Sequence, residues 1–377
     1  ENATPGEYML RFRIGAVKGT PKERHFVELG SRKEKDEFSL MQTFQISGST
    51  DEPQIIEVPV SITAVGPRTF VLREKRDVKL DHEIYTAAQK ATGVGPPSAL
   101  WIDWVEWEGP LVASDSKAKT IPVVFENKNS TSERDHARKI IETFAVRAFR
   151  DKAPKPEYIE KLVKLFDMRV KAGDKFENAL KEPLSVVLAT PHFLYLSEPA
   201  KDKNPRALTP LEFASRLSYF LWSAPPDETL LTLARSGDLM KPDVLALQVD
   251  RMIESSKSRE FVNGFTHQWL RMDRLDFFQF NTQLYRDFDE STKAAARNEV
   301  FRTIEHVLRM NSSVRDLLKS DYVVINGILA NYYGIDGISG DEFRKVAVPK
   351  GSPRGGLLGM AAIMAMGSNG EVTSPVE

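Results

Sequence analysis

The amino-acid sequence predicts a multidomain chain, with an antiparallel β-sandwich or jelly roll at the N-terminal end and a mostly all-α region after it. Three observations carry this reading. Apolar residues recur at every second position through much of residues 6–108, the periodicity disappears over 113–132, and beyond that apolar residues recur every three or four positions. At 377 residues and 42.5 kDa the chain is long enough for two or more domains, each with its own core.

The strands come first. "GEYMLRFRI" places Tyr8, Leu10, Phe12 and Ile14 on one face and Arg11 and Arg13 on the other. "SLMQTFQIS" repeats the pattern with Leu40, Phe44 and Ile46, and "QIIEVPVSIT" with Ile56, Val58, Val60 and Ile62. Pro59 cannot donate to a ladder, which places this segment at a sheet edge or a bulge. "RTFVLRE" adds Phe70 and Leu72 after a Gly-Pro turn at Gly66. "LWIDWVEWE" is read as the last strand of the sandwich. Strict alternation sends Trp101, Asp103, Val105 and Trp107 inward and Ile102, Trp104, Glu106 and Glu108 outward.

Residues 113–132 read as a linker. Helices follow. Ser132 caps one through about Lys152, Pro156 opens the next, and Gly173 stops it. The clearest start is "LTPLEFASRLSYFLWS": Thr209 at the N-cap, Pro210 at the first position and Glu212 at the third form a capping box. Leu211, Ala214, Leu217, Phe220 and Leu221 trace its buried stripe. Pro225-Pro226 break that helix and Asp227 caps the next. Further helices are predicted near 227–235, 242–256, 258–270, 289–310 and 312–319, and a last one from Leu357 to about Met366.

Composition removes several functions. Fifty-two basic residues against 53 acidic leave a net charge of −1, which offers no footprint for nucleic acid and no polybasic membrane patch. No apolar run approaches the ~18–20 residues of a transmembrane segment. The absence of cysteine excludes disulfides, thiolate metal sites, a cysteine nucleophile and the C-x-x-C-H attachment of c-type haem within these residues. The six histidines form no metal or protease motif: His25 and His82 fall in predicted loops, His136 on a polar helix face and His306 in mid-helix. His192 and His267 sit among aromatics and read as satisfied, partly buried histidines, with axial haem ligation for a neighbouring domain as the alternative.

Four stretches carry a resemblance: "LTPLEFASRLSYFLWSAPPDETLLTLA", "FVNGFTHQWLRMDRLD", "DYVVINGILANYYGI" and "RGGLLGMAAIMAMGSNGEVTSPVE". Together they resemble a family of large multidomain proteins common in planctomycetes, built from consecutive domains of unknown function. The resemblance covers roughly residues 131–377, and "ARKIIETFAVRAFRDKAPKPEYIEKLVKLF" with "ATPHFLYLSE" is similar to the preceding domain of the series. It implies a domain plan of a carbohydrate-binding-like sandwich over 1–112, a linker over 113–132, helical domains over 133–200 and 201–337, and the start of a further domain over 338–377. It also implies an internal piece of an exported protein whose c-type cytochrome domain, and with it the haem, lies outside this chain. The family has no established catalytic residues to carry over, and His267 stands where a glycine is expected.

Candidate functional residues follow. Sugar-binding jelly rolls often end in a strand like Ile102-Asp103-Trp104-Val105. Asp103 would then either hold a structural calcium or hydrogen-bond a turn. Trp104 would either stack on a glycan or pack against another part of the protein. "GSNGEVTSPV" gathers Ser368, Asn369, Glu371, Thr373 and Ser374 in one loop, read as turn chemistry or as a polar binding site. "RGGLLG" lacks the phosphate-loop spacing and is read as a close-packed turn. No cofactor is expected within this chain, apart from calcium at Asp103. Three functions are left: a glycan-binding or scaffolding segment, a helical region that docks the cytochrome c domain in an oxidoreductase assembly, and a polysaccharide hydrolase with unidentified carboxylates.

Overall fold

The computed structural model describes residues 4–32, 38–75, 78–111, 132–196, 206–277, 280, 281, 284, 285, 287–349 and 351–372. Residues 113–131 of the expected linker lie outside them. Six strands form two antiparallel three-stranded sheets: β1 (Gly6–Ala16), β2 (Phe26–Arg32), β3 (Phe38–Gln45), β4 (Gln54–Ile62), β5 (Phe70–Glu74) and β6 (Leu100–Glu108). One sheet runs β4-β1-β6, the other β3-β2-β5. Tyr8, Leu10, Phe12 and Ile14 of β1 share one core with Val27, Leu29 and Phe44 of the opposite sheet, and Phe12 meets Phe44 edge-on at 5.9 Å. The alternation in the sequence is this core. Pro59 lies in β4, an edge strand as expected.

Between β5 and β6 the chain forms a helix the sequence did not suggest, α1 (Val78–Thr92). His82 therefore sits on a helix and not in a loop.

The helical elements are α2 (Glu133–Ala148), α3 (Pro156–Lys171), α4 (Phe176–Leu188), α5 (Pro191–Leu194), α6 (Pro210–Trp222), α7 (Glu228–Ser236), α8 (Pro242–Glu254), α9 (Arg259–Leu270) and α10 (Glu290–Arg309). The capping box of α6 is formed: Glu212 N–H donates to Thr209 Oγ1 at 3.3 Å and Thr209 N–H to Glu212 Oε2 at 2.9 Å. Thr209→Ala is expected to cost about 1 kcal/mol and Thr209→Ser little, measurable by chemical denaturation. Asp227 accepts from Leu230 N–H at 3.0 Å and starts α7 as expected.

Four expectations are corrected here. Phe220 leaves the buried stripe of α6 and is 63% exposed, because the stripe closes instead on Trp222, whose indole N–H donates to Met252 O. His136 is buried and stacked on Phe176 at 5.1 Å, not on a polar face. The 312–319 helix is a single 3-10 turn over Val314–Leu317. Within the mostly helical region, β7 (Tyr322–Ile325) pairs antiparallel with β8 (Arg344–Ala347) around α11 (Gly327–Tyr333). Residues 357–366 form a 3-10 turn over Leu357–Gly359 and then α12 (Ala361–Met366), separated by the extended Met360.

By contacts the chain divides into two compact units. One comprises residues 113–261. The other joins 1–112 to 262–377. Within the latter, α10 packs on β3, so the second sheet is covered on both faces and β2 is buried along nearly its whole length. Ser291 donates to the buried Glu28 at 2.5 Å and bonds Thr43 at 2.7 Å, Gln45 N–H donates to Asp341 at 2.8 Å, and Lys75 pairs with Asp289 at 2.6 Å.

Candidate functional site

The outward face of the β4-β1-β6 sheet is set by a β-bulge. Arg13 pairs with Trp104 and the next residue, Ile14, with Ile102, so Asp103 is the extra residue. Either side of it the phase of β6 differs. Toward the C-terminal end the register is as expected, since Trp107 and Val105 oppose the inward Leu10 and Phe12 and Glu106 opposes the outward Arg11, yet Val105 stays 49% exposed and not buried. Toward the N-terminal end the faces reverse. Leu100 and Ile102 oppose the inward Ala16 and Ile14, whereas Trp101 opposes Gly15 on the outward face. The inward placement of Trp101 and Asp103 is thus corrected.

Trp101 and Trp104 share one outward face, with Arg13 beside them donating to the Asp103 carboxylate. Trp104 is half-buried and Trp101 is 39% exposed. Trp107 packs on Phe70 at 5.1 Å and Tyr8 at 6.1 Å yet stays 40% exposed, because it lies on the edge strand. Arg11 pairs with Glu57 at 2.6 Å and Glu108 at 2.5 Å, which holds its guanidinium above its ordinary range. The face combines two indoles with fixed ion pairs. It does not fit calcium: Asp103 is a single carboxylate committed to Arg13, and the described residues hold no group of three or more acids and histidines that could take a metal.

The C-terminal loop closes on itself. Asn369 Oδ1 accepts from the N–H groups of Glu371 and Val372, Ser368 Oγ accepts from Gly370 N–H and donates to Val372 O, and Tyr285 donates to Glu371 O. Ser368 and Asn369 thus do turn work, and the Glu371 side chain is exposed. Thr373 and Ser374 lie outside the described residues. "RGGLLG" is the expected close turn: Gly355 and Gly356 have φ of 105° and 78°, and a Cβ on either would strike the backbone of Ser320 or Leu318.

Two sites escaped the sequence reading. In the 113–261 unit a cavity of about 560 Å³ is walled by Phe149, Pro154, Tyr158, Pro191 and His192, with Lys152, Lys155 and Glu212 at its polar end. His192 and His267 are both exposed and not partly buried; His192 meets Phe149 at 5.5 Å. The Glu212 carboxylate is held down at about 2, first by two 2.8 Å bonds from Arg206 and then by the Thr209 cap. In the other unit Glu299 of α10 is wholly buried. Its Oε2 accepts from Tyr333 at 2.5 Å, its Oε1 has no partner, and burial raises its carboxyl to about 7. Ala361 N–H, at the start of α12, donates to the same Tyr333 hydroxyl, and Arg354 stacks on the Tyr333 ring at 4.0 Å. A carboxyl poised near neutrality is chemically capable of proton exchange. Its sequence context, "RNEVFRT", is that of an ordinary solvated helix face.

No helix among the described residues is long and apolar enough to cross a membrane. No curated protein and no solved structure matches the chain. Two family models do. Residues 136–198 match PSD5, a protein of unknown function (DUF1595), and residues 208–335 match PSD4, a protein of unknown function (DUF1592). The cavity draws on both stretches, Phe149 to His192 from the first and Glu212 from the second. The helical part of this chain therefore carries a DUF1595 domain followed by a DUF1592 domain, the consecutive domains of unknown function that its motifs resemble.

Proposed function

We propose that the chain is a glycan-binding and scaffolding segment whose sandwich grips polysaccharide through Trp101 and Trp104. One observation carries this: the bulge at Asp103 turns both indoles to the same outward face, beside an Arg13–Asp103 pair whose polar atoms suit hydroxyl groups. Flat apolar rings next to fixed donors and acceptors match a sugar, which offers an apolar C–H face ringed by hydroxyls. Ion-paired side chains cost little further ordering on binding. A polysaccharide partner carries export with it, to the periplasm or beyond. The cytochrome-linked reading rests on the domain company of similar proteins.

The test is depletion of the protein by cellulose, chitin and xylan. Wild type is expected to bind at least one of them and Trp107→Ala to keep that binding. The Trp101→Ala/Trp104→Ala double variant is expected to lose it by at least about ten-fold, since two stacking contacts go. A folded double variant that binds like wild type rejects the sheet face, and a wild type that binds none of the three rejects the function.

A further inference from the structure

The cavity of the 113–261 unit has the properties of a built ligand site. Its volume of about 560 Å³ falls in the range of small-molecule pockets, roughly 300–1,000 Å³. Its wall is mostly apolar, so water inside it has few partners. The wall is also fixed. Arg150 and Asp151, adjacent non-glycine residues, both hold left-handed backbone, φ 57° and 67°. That conformation is unfavourable for a residue with a Cβ and persists only where the surroundings impose it. Arg150 donates to His192 O at 2.8 Å and Phe193 O at 2.7 Å, and Asp151 takes two bonds from Arg235 at 2.7 and 2.8 Å.

The polar end is cationic. Glu212 is neutralised by Arg206 and by its place in the α6 cap, and Arg150 is spent on carbonyls. Lys155 stands at the N-cap of the sixteen-residue α3, where the helix dipole adds positive potential, and it makes no ion pair among the described residues. Tyr158, one turn into the same helix, lines the cavity, and its hydroxyl is buried with no hydrogen-bond partner.

We propose that this cavity binds an amphiphilic carboxylate, an aromatic or acyl body against its apolar wall with its carboxylate at Lys155. The site is independent of the glycan-binding face.

Calorimetric titration of the full chain with 4-phenylbutyrate, 4-phenylbutanol and 4-phenylbutylamine tests it. The acid is expected to bind one to one. The alcohol should bind at least about ten-fold more weakly and the amine not measurably, since a charge-assisted bond is worth about a decade or more. Lys155→Glu should abolish acid binding. Trp101→Ala/Trp104→Ala should bind the acid as wild type does. No heat with the acid up to about 5 mM, equal binding of acid and amine, or undiminished binding by folded Lys155→Glu each overturns the proposal.

Discussion

Glu299→Gln is expected to stabilise the protein at pH 8 by about 3 kcal/mol and to leave it nearly unchanged at pH 4. The carboxyl is wholly buried, with one oxygen bonded to Tyr333 and the other unpartnered, and burial lifts it from an ordinary 4.5 to about 7. The folded protein therefore holds this proton at a pH where the unfolded chain has lost it. Stability falls as pH rises from 4.5 through 7, by about 1.4 kcal/mol per unit, and the penalty is complete above that window. Glutamine resembles the protonated form in shape and still accepts from Tyr333, yet never ionises. Urea unfolding at pH 4, 6 and 8, followed on the 1–112/262–377 unit, reads the difference. Parallel pH profiles for the two proteins would sink the assignment.

Arg206→Met is expected to destabilise the 113–261 unit by about 2–3 kcal/mol at pH 7, with the opposite pH dependence. Glu212 is buried, and without the two guanidinium bonds its charge keeps only the cap donors and Lys152 at 3.6 Å. Removing one partner of a buried pair leaves an uncompensated ion. The folded carboxyl lies near 2, below its ordinary 4.5, so the contribution is fully present above pH 4.5 and disappears as pH falls toward 2. Combining Arg206→Met with Glu212→Gln isolates the pair from the other contacts of Arg206. Additivity of the two changes, or an undiminished gap at pH 2.5, would show that the pair does not stabilise the N-terminus of α6.

Local signals in the sequence were legible where local physics decides. The Thr209–Glu212 box, the Asp227 cap and the alternation of Tyr8 to Ile14 depend on residues within a few positions, and all of them fold as written. The bulge at Asp103 was not legible, because an extra residue shows only once the partner strand's register is known; one miscounted position then reversed Trp101. His136 looked polar because its burial against Phe176 comes from another helix. The cavity joins residues near 150, 190 and 212, three segments with no shared motif. Glu299 reads as one more helical acid until Tyr333 and Arg354, distant in sequence, close over it. Trp104 was legible as a residue of the outward face, and Trp101 beside it was not.

The pairing of Ser291, Asp289 and Asp341 with β2, β3 and Lys75 has a bearing on synthesis. The second sheet of the sandwich acquires its outer cover from residues that leave the ribosome only after the whole 113–261 unit, 149 residues long, has emerged. At roughly 5–20 residues per second that is a wait of about 10–30 s. Throughout it, Glu28 and the outward side of β2 face solvent or a chaperone and not α10. The intervening unit has cores of its own. Early termination or proteolytic nicking downstream of residue 261 would release a folded helical unit attached to an uncovered, aggregation-prone sheet. The two halves of the chain thus differ in their dependence on complete translation.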